Sequence, residues 1–334
     1  MDNDNERARV AFVGVGRWGR ELADGAVASG AIEVVACFSR TPETRAAFAA
    51  DYACRAAESI GAILDDPAVD GVVIASTNST HRELIEAAAA AGKGMFVDKP
   101  LTLSASDSRA AVAAADAAGV VLQVGYQRRR LPANRKIRAM IDAGELGDVL
   151  LLEAQQSSPN GLVMAASAWR WDPIESPLGS MTSLGVHSIE TLSYLGGRIE
   201  RVSATVRRDR LGRSIDEATG LLFEFESGAV GTLVSSFFTP QLSRLSVHGT
   251  EAAAFMDDDG TRLATQLRGS TDQVAVALTP TDAIAEQMGE FGRALRGGPA
   301  PETGGREGLV VDLVMAAAEE SVRSRRAVDV ERVG

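Results

Sequence analysis

The stretch Ala11-Phe12-Val13-Gly14-Val15-Gly16-Arg17-Trp18-Gly19-Arg20 constrains the fold more than any other part of the chain. A short apolar run ends in glycines spaced G-x-G-x-x-G, and the pattern from Trp18 to Val27 is helical. A buried strand, a tight turn and a helix are therefore expected in direct succession. Each glycine then has its own task. Gly14 makes the turn, Gly16 lets the backbone approach a pyrophosphate, and Gly19 lets the helix pack closely on the strand. Phosphate would sit on the free N–H groups and positive dipole end of that helix. Glycines at these spacings also make ordinary turns. The strand before and the helix after are what point to a dinucleotide site.

The chain continues in the same rhythm to about Gly125. Strands are expected at residues 33–39, 70–75, 94–97 and 120–124, with helices at 42–52, 81–91 and 105–118 between them, the last capped by Ser104. Strands alternating with helices make a doubly wound parallel sheet with right-handed crossovers. Ligands on such sheets bind beyond the carboxyl ends of the strands. Four loops fall there: 14–19, 39–41, 76–81 and 98–100.

Beyond Gly125 the pattern changes. A helix at 132–143 and a strand at 149–155 precede a Pro- and Gly-containing stretch, 157–180, that holds Trp169 and Trp171. A helix is expected at 183–195. Strand-like runs follow at 202–208, 218–226, 229–238, 242–248 and 252–256, with Gly228 at a hairpin turn. These make an open, mainly antiparallel sheet. Helices at 281–295 and 308–323 close the chain. Residues 1–125 are thus expected as a Rossmann domain and 126–334 as an α+β domain for substrate and oligomerisation, its last helix free to pack back on the first.

The charge balance, 34 basic against 45 acidic residues for a net charge of −11, argues against nucleic acid as partner. The cluster Arg128-Arg129-Arg130 is too short to reverse that. The acidic, polar run Met1-Asp2-Asn3-Asp4-Asn5-Glu6 is no signal-peptide core, and no apolar run reaches membrane-spanning length. Cys37 and Cys54 lack zinc-site spacing, and nothing else forms a metal signature. Cys37 reads as a small core residue. A soluble, cytoplasmic protein without metal is expected.

With these residues placed, the chain resembles the glucose–fructose oxidoreductase / inositol dehydrogenase / MocA family from about Arg9 to Val330. The likeness is carried by residues 13–19, by Ser76-Thr77-Asn78 with His81, by Asp98-Lys99-Pro100 and Trp169-Arg170, and by Gly185-Val186-His187-Ser188-Ile189-Glu190. It implies hydride transfer between NAD or NADP and a hydroxyl or carbonyl carbon of a sugar, inositol, polyol or related ring. It also implies cofactor contacts from Gly14, Gly16, Arg17, Trp18, Gly19, Ser76, Asn78, His81, Asp98 and Lys99. His81 takes a structural part at its loop, without proton transfer.

Lysines at strand ends are mostly solvated charges. Lys99, however, lies at an expected cofactor loop before a proline, and hydride chemistry needs a group that holds the substrate oxygen while its proton moves. The family's Glu-Lys-Pro motif makes Lys99 the catalytic lysine, with Asp98 in place of the glutamate. His187 matches the family histidine that faces substrate, so the active site is expected in the cleft between the domains. Four residues earlier the family carries an aspartate; here the position is Ser183, which offers a hydrogen bond but no carboxylate. Trp169 suits either a core or an apolar sugar face, and the match over Gly125-Tyr126-Gln127-Arg128 brings Arg128 to the substrate.

At the end of the second strand, about 20 residues past the glycines, NAD enzymes place an acid on the ribose hydroxyls. Here Ser39 and Arg40 stand there, which favours NADP. A homodimer or homotetramer through the C-terminal sheet follows from the family pattern and from the cost of exposing an apolar face. Two other readings remain: a redox-assisted glycoside-cleaving enzyme with tightly held cofactor, and a catalytically silent dinucleotide-binding sensor, which Ser183 would suit.

Overall fold

Short, largely apolar runs build a parallel sheet, of which the strands Gly71–Ile74 and Gly94–Val97 are buried along their whole length. The six strands are β1 (Ala8–Val13), β2 (Ile32–Phe38), β3 (Arg55–Ala56), β4 (Gly71–Ile74), β5 (Gly94–Val97) and β6 (Leu122–Val124). The computed structural model describes residues 7–333, so the expectation for the first six residues lies outside them. Helices α1 (Arg17–Ser29), α2 (Pro42–Asp51), α3 (Gly61–Leu64), α4 (His81–Ala90) and α5 (Ala105–Ala118) link the strands. All neighbouring strands run parallel in the order β3-β2-β1-β4-β5-β6. The order reverses between β1 and β4, which opens a crevice at their carboxyl ends. Ser104 caps α5 as expected, its Oγ accepting from Asp107 N at 3.1 Å, and α1 stops at Gly30 with φ of 68°. Cys37 is fully buried.

Two units make up the chain. The first comprises the residues up to Gln127 together with Asp282–Leu309; the second comprises Arg128–Thr281 and the residues from Val310 onward. The sequence boundary at 125/126 thus differs from the structure over Asp282–Leu309. Helix Ala283–Leu295, capped by Asp282 Oδ1 on Ile284 N (3.1 Å) and Ala285 N (2.9 Å), covers the parallel sheet. Its Phe291 is fully buried, edge-on to Phe96 of β5 at 6.0 Å. Gly25 of α1 allows the close approach, since a Cβ there would stand 2.5 Å from Ile284 Cγ2.

The second unit is built on a nine-stranded sheet. Its elements are α6 (Pro132–Asp142), β7 (Val149–Ser157), α7 (Asn160–Val163), α8 (Val186–Gly196), β8 (Ile199–Arg207), β9 (Ala218–Phe225), β10 (Val230–Ser236), β11 (Leu242–Gly249), β12 (Ala252–Asp257), β13 (Arg262–Leu267), β14 (Val274–Ala275) and β15 (Val328–Asp329). Two further helices complete the chain, α9 (Ala283–Leu295) and α10 (Gly305–Ser324). The order is β14-β13-β12-β11-β7-β10-β9-β8-β15, antiparallel throughout except where β7 runs parallel to β10. Gly228, at φ of 85°, turns the β9–β10 hairpin as expected. Strand β13 had no clear sequence signal, because its RLATQL alternates only weakly.

Alternation gives this sheet two different faces. Along β10, Gly231, Leu233 and Ser235 are buried, whereas Val230 and Val234 are exposed. Leu151 of β7 pairs with Val230, and Leu222 of β9 lies on the same exposed side, opposite Thr232.

Candidate active site

The glycine turn comes first. Gly14 has φ of +90°, and a Cβ there would meet Ala75 O at 2.4 Å; a Cβ on Gly19 would stand 2.2 Å from Gly14 O. These two glycines are therefore required by packing around the end of β4. Gly16 differs: a Cβ there meets nothing within 4 Å. That open space lies at the start of α1, whose N-cap has no side-chain hydrogen bond and whose first turn carries no acid. The helix end is left ready for an anion. Two buried polar atoms, Trp18 Nε1 and Asp98 Oδ1, also have no hydrogen-bond partner among the described residues. A cradle open at Gly16 and unspent hydrogen-bonding capacity at Trp18 and Asp98 fit a bound dinucleotide. Arg17 is exposed and pairs with Glu21, while Trp18 packs against the core of its unit.

At the end of β2, Ser39 Oγ accepts from Thr41 N at 3.4 Å, and Arg40 is exposed. No acid stands at positions 39 or 40. At the end of β4, Ser76 Oγ and Thr80 Oγ1 lie 2.7 Å apart and Asn78 is buried in the turn before α4. His81 opens that helix fully buried, and its Nδ1 donates to the Pro100 carbonyl at 3.0 Å. Burial holds its pKa below the usual histidine range, with Asp98 and backbone carbonyls pulling partly back. A neutral His81 thus ties α4 to the loop Asp98-Lys99-Pro100. Asp98 N donates to Ile74 O at 2.8 Å, which fixes the start of that loop on β4, and Lys99 is half-buried.

In the second unit the expected helix over 183–195 divides. Met181–Gly185 is a π-helical turn and α8 begins only at Val186. Ser183 therefore lies on the π turn, and the α-helical four-residue spacing that related it to His187 does not hold there. The turn is tight: a Cβ on Gly185 would stand 1.9 Å from Met181 Sδ. Single π turns recur at functional sites. His187 is 5% exposed, and Thr191 Oγ1 donates to its carbonyl at 2.9 Å.

Two neighbours of this helix carried no residue-specific signal in the sequence beyond strand alternation or a place in a motif. Gln156 of β7 is buried. With its amide oriented to satisfy both ends, its nitrogen donates to Ser188 Oγ and Leu184 O, each at 3.0 Å, and its oxygen accepts from Arg128 Nε (3.2 Å) and Nη2 (2.7 Å). Arg128 also donates to Ser243 Oγ at 3.2 Å and pairs with Asp259. Glu190, three residues after His187, is buried and accepts from Arg129 Nε at 2.6 Å, while the Arg129 guanidinium lies 4.6 Å from the Tyr194 ring. These contacts fix α8 from two sides. Trp169 is half-buried with the Arg170 guanidinium 4.3 Å over its ring, and Trp171 donates from Nε1 to Ala165 O at 2.9 Å.

Among the described residues no group of His, Cys, Asp and Glu could hold a metal ion, and no helix is long and apolar enough to cross a membrane.

Residues 8–126 match a family described as an oxidoreductase family with an NAD-binding Rossmann fold, and residues 134–255 match the GFO/IDH/MocA C-terminal domain. A D-xylose 1-dehydrogenase (NADP(+)) of Haloferax volcanii is 30% identical over 82% of this chain and 84% of its own length. A scyllo-inositol 2-dehydrogenase (NAD(+)) of Bacillus subtilis is 34% identical over 58% of this chain and 57% of its own. A solved structure from Desulfitobacterium hafniense superposes with a TM-score of 0.92 at 29% identity, covering 97% of this chain and 98% of that one.

Proposed function

The chain belongs to the GFO/IDH/MocA family of NAD(P)-dependent oxidoreductases acting on sugar and polyol carbons, and from that premise we propose which cofactor it prefers and which residues do its chemistry. The nicotinamide supplies a hydride acceptor or donor when bound. The open cradle at Gly16, ahead of an uncapped helix end, is the observation that carries this reading. Arg17, Trp18, Ser76, Asn78 and Asp98 complete the cofactor's surroundings, with His81 holding their loops. NADP is preferred, because Ser39 and the exposed Arg40 can bind a 2′-phosphate that a carboxylate would repel.

Lys99 holds the reacting oxygen and favours its deprotonated form. His187 exchanges the proton, and Ser183 contributes a hydrogen bond to substrate. Arg128, anchored through Gln156 to the start of α8, and Trp169 bind the substrate's hydroxyls and its apolar face. The exposed strip of Leu151, Leu222, Val230 and Val234 binds a second copy of the chain, so the protein works as a homodimer or homotetramer, in the cytoplasm. A panel of sugars, inositols, polyols and glycosides with each cofactor tests the activity through the absorbance of reduced nicotinamide. Net turnover with a free sugar or polyol is expected. Cleavage of a glycoside without net reduction would select the glycoside-cleaving reading, and binding without any turnover would select the sensor.

A further inference from the structure

A cleft of about 580 Å³ lies wholly within the second unit, between the segment Pro173–Leu178, the loop after β8 and the end of α10. It contains none of the residues assigned above to cofactor or substrate. Its floor is buried: Ser176 at 2%, Leu178 at 4%, Ile215 at 3% and Asp216 at 8% exposure. Ser176 Oγ, on that floor, has no hydrogen-bond partner among the described residues. A buried hydroxyl left unmatched has lost its water without a replacement, so a polar occupant that reaches it is favoured.

The charges around the floor sort into spent and unspent. Arg208 grips Asp216 through two hydrogen bonds, and Arg323 pairs with Glu320. Arg213 and Arg325 line the cleft, are exposed, and pair with no carboxylate among the described residues. Arg213 is nevertheless held in place, its guanidinium 5.1 Å from the Trp171 ring, while Ser214 Oγ donates to the Trp171 carbonyl. On the acid side, Asp209 and Glu319 also line the cleft. Desolvation, reinforced by Asp216, pushes the Glu319 carboxyl above its usual value. Two unspent guanidinium forks over a floor of Leu178 and Ile215, with a free hydroxyl beside them and the Asp216 carboxylate already taken by Arg208, suit an oxyanion joined to a hydroxylated carbon frame. Guanidinium meets phosphate oxygens in matching fork geometry.

We propose that this cleft binds a phosphorylated sugar or polyol. Arg213 and Arg325 take the phosphate, Leu178 and Ile215 underlie the carbon frame, and Ser176, Asp209 and Glu319 hydrogen-bond its hydroxyls. The site is apart from the redox site and does not depend on the assignment of that site. It is nonetheless joined to it by the chain, because Thr182 Oγ1, one residue before Ser183, donates to the Pro177 carbonyl on the cleft wall. An occupant that orders Pro173–Leu178 would bear on the π turn.

Calorimetric titration of the whole protein with glucose 6-phosphate, inorganic phosphate and glucose tests the proposal. Glucose 6-phosphate is expected to bind with a dissociation constant below about 1 mM, and inorganic phosphate more weakly. The double variant Arg213→Gln/Arg325→Gln should raise that constant about tenfold or more, and Ser176→Ala should raise it severalfold. Oxidoreductase turnover and the melting temperature of the arginine variants should stay at wild-type values. If the double variant folds poorly, Arg213→Gln alone, on an exposed loop, must still show the weakening. Absence of binding, binding unaffected by the arginine changes, or inorganic phosphate binding as tightly as glucose 6-phosphate would each overturn the proposal.

Discussion

His81 Nδ1 lies 3.0 Å from the carbonyl oxygen of Pro100, the residue that follows Lys99. The first residue of α4 therefore pins the loop that presents the lysine. Because the acceptor is a carbonyl, the ring must carry its proton on Nδ1.

This bond has a pH signature. Burial depresses the folded pKa of His81 below its ordinary 6.5. As pH falls through about 6.5, the unfolded chain takes up a proton that the folded chain refuses, so stability is lost toward acid and is kept above that value. His81→Gln retains a donor but cannot titrate. Denaturant melts between about pH 7 and pH 5 should show a flatter loss of stability in the variant. Parallel curves for the two proteins would show that His81 does not carry this dependence.

Gly16 and Gly19 should fail differently. Gly16→Val adds a side chain to open space, so it should leave the melting temperature near wild type and weaken dinucleotide binding by at least about 100-fold, or roughly 2.7 kcal/mol. Gly19→Ala drives a Cβ to within 2.2 Å of Gly14 O and should lower the stability itself. Binding that persists at wild-type strength in Gly16→Val would remove the pyrophosphate from this turn.

Cofactor choice is read at the end of β2. Ser39→Asp should lower kcat/KM with NADP by about tenfold or more and raise the relative use of NAD, since the new carboxylate repels a 2′-phosphate and can accept from ribose hydroxyls. Arg40→Ala should also weaken NADP selectively. Equal efficiency of the wild-type enzyme with both cofactors would set the proposal aside.

The parts of the chain that were legible in the sequence are those where local pattern and function coincide. The strand–glycine–helix unit around Gly14 and the four loops at the strand ends follow from apolar runs and turn residues alone. The place of Ala283–Leu295 does not, because its amphipathic pattern shows that one face is buried without naming the surface that buries it. The π turn was hidden for a related reason. The apolar pattern over 183–195 reads the same whether or not its first turn is widened, and no residue type marks the widening at Met181–Gly185. Gln156 and the Arg129–Glu190 pair unite residues 32 and 61 positions apart, beyond the reach of any local pattern.

The exposed strip on the large sheet predicts self-association. Leu151→Glu with Val230→Glu places two charges on neighbouring positions of β7 and β10, since these residues pair directly. Sedimentation at micromolar concentration should show an oligomer for the wild type and a monomer for the double variant, both with native circular dichroism. A monomeric wild type would leave the strip without its proposed partner.

The most direct measurement of the central claim compares steady-state turnover of wild type, Lys99→Ala and Ser183→Ala on whichever sugar or polyol the panel identifies, alongside NADP affinity by fluorescence. Loss of a positioned acid–base group costs about 10²–10⁴-fold in rate, so Lys99→Ala should lose that much kcat while still binding NADP. Ser183→Ala should lose far less, because a neutral hydrogen bond contributes only about 0.5–1.5 kcal/mol. Normal turnover in Lys99→Ala, or a greater loss in Ser183→Ala, would contradict the account.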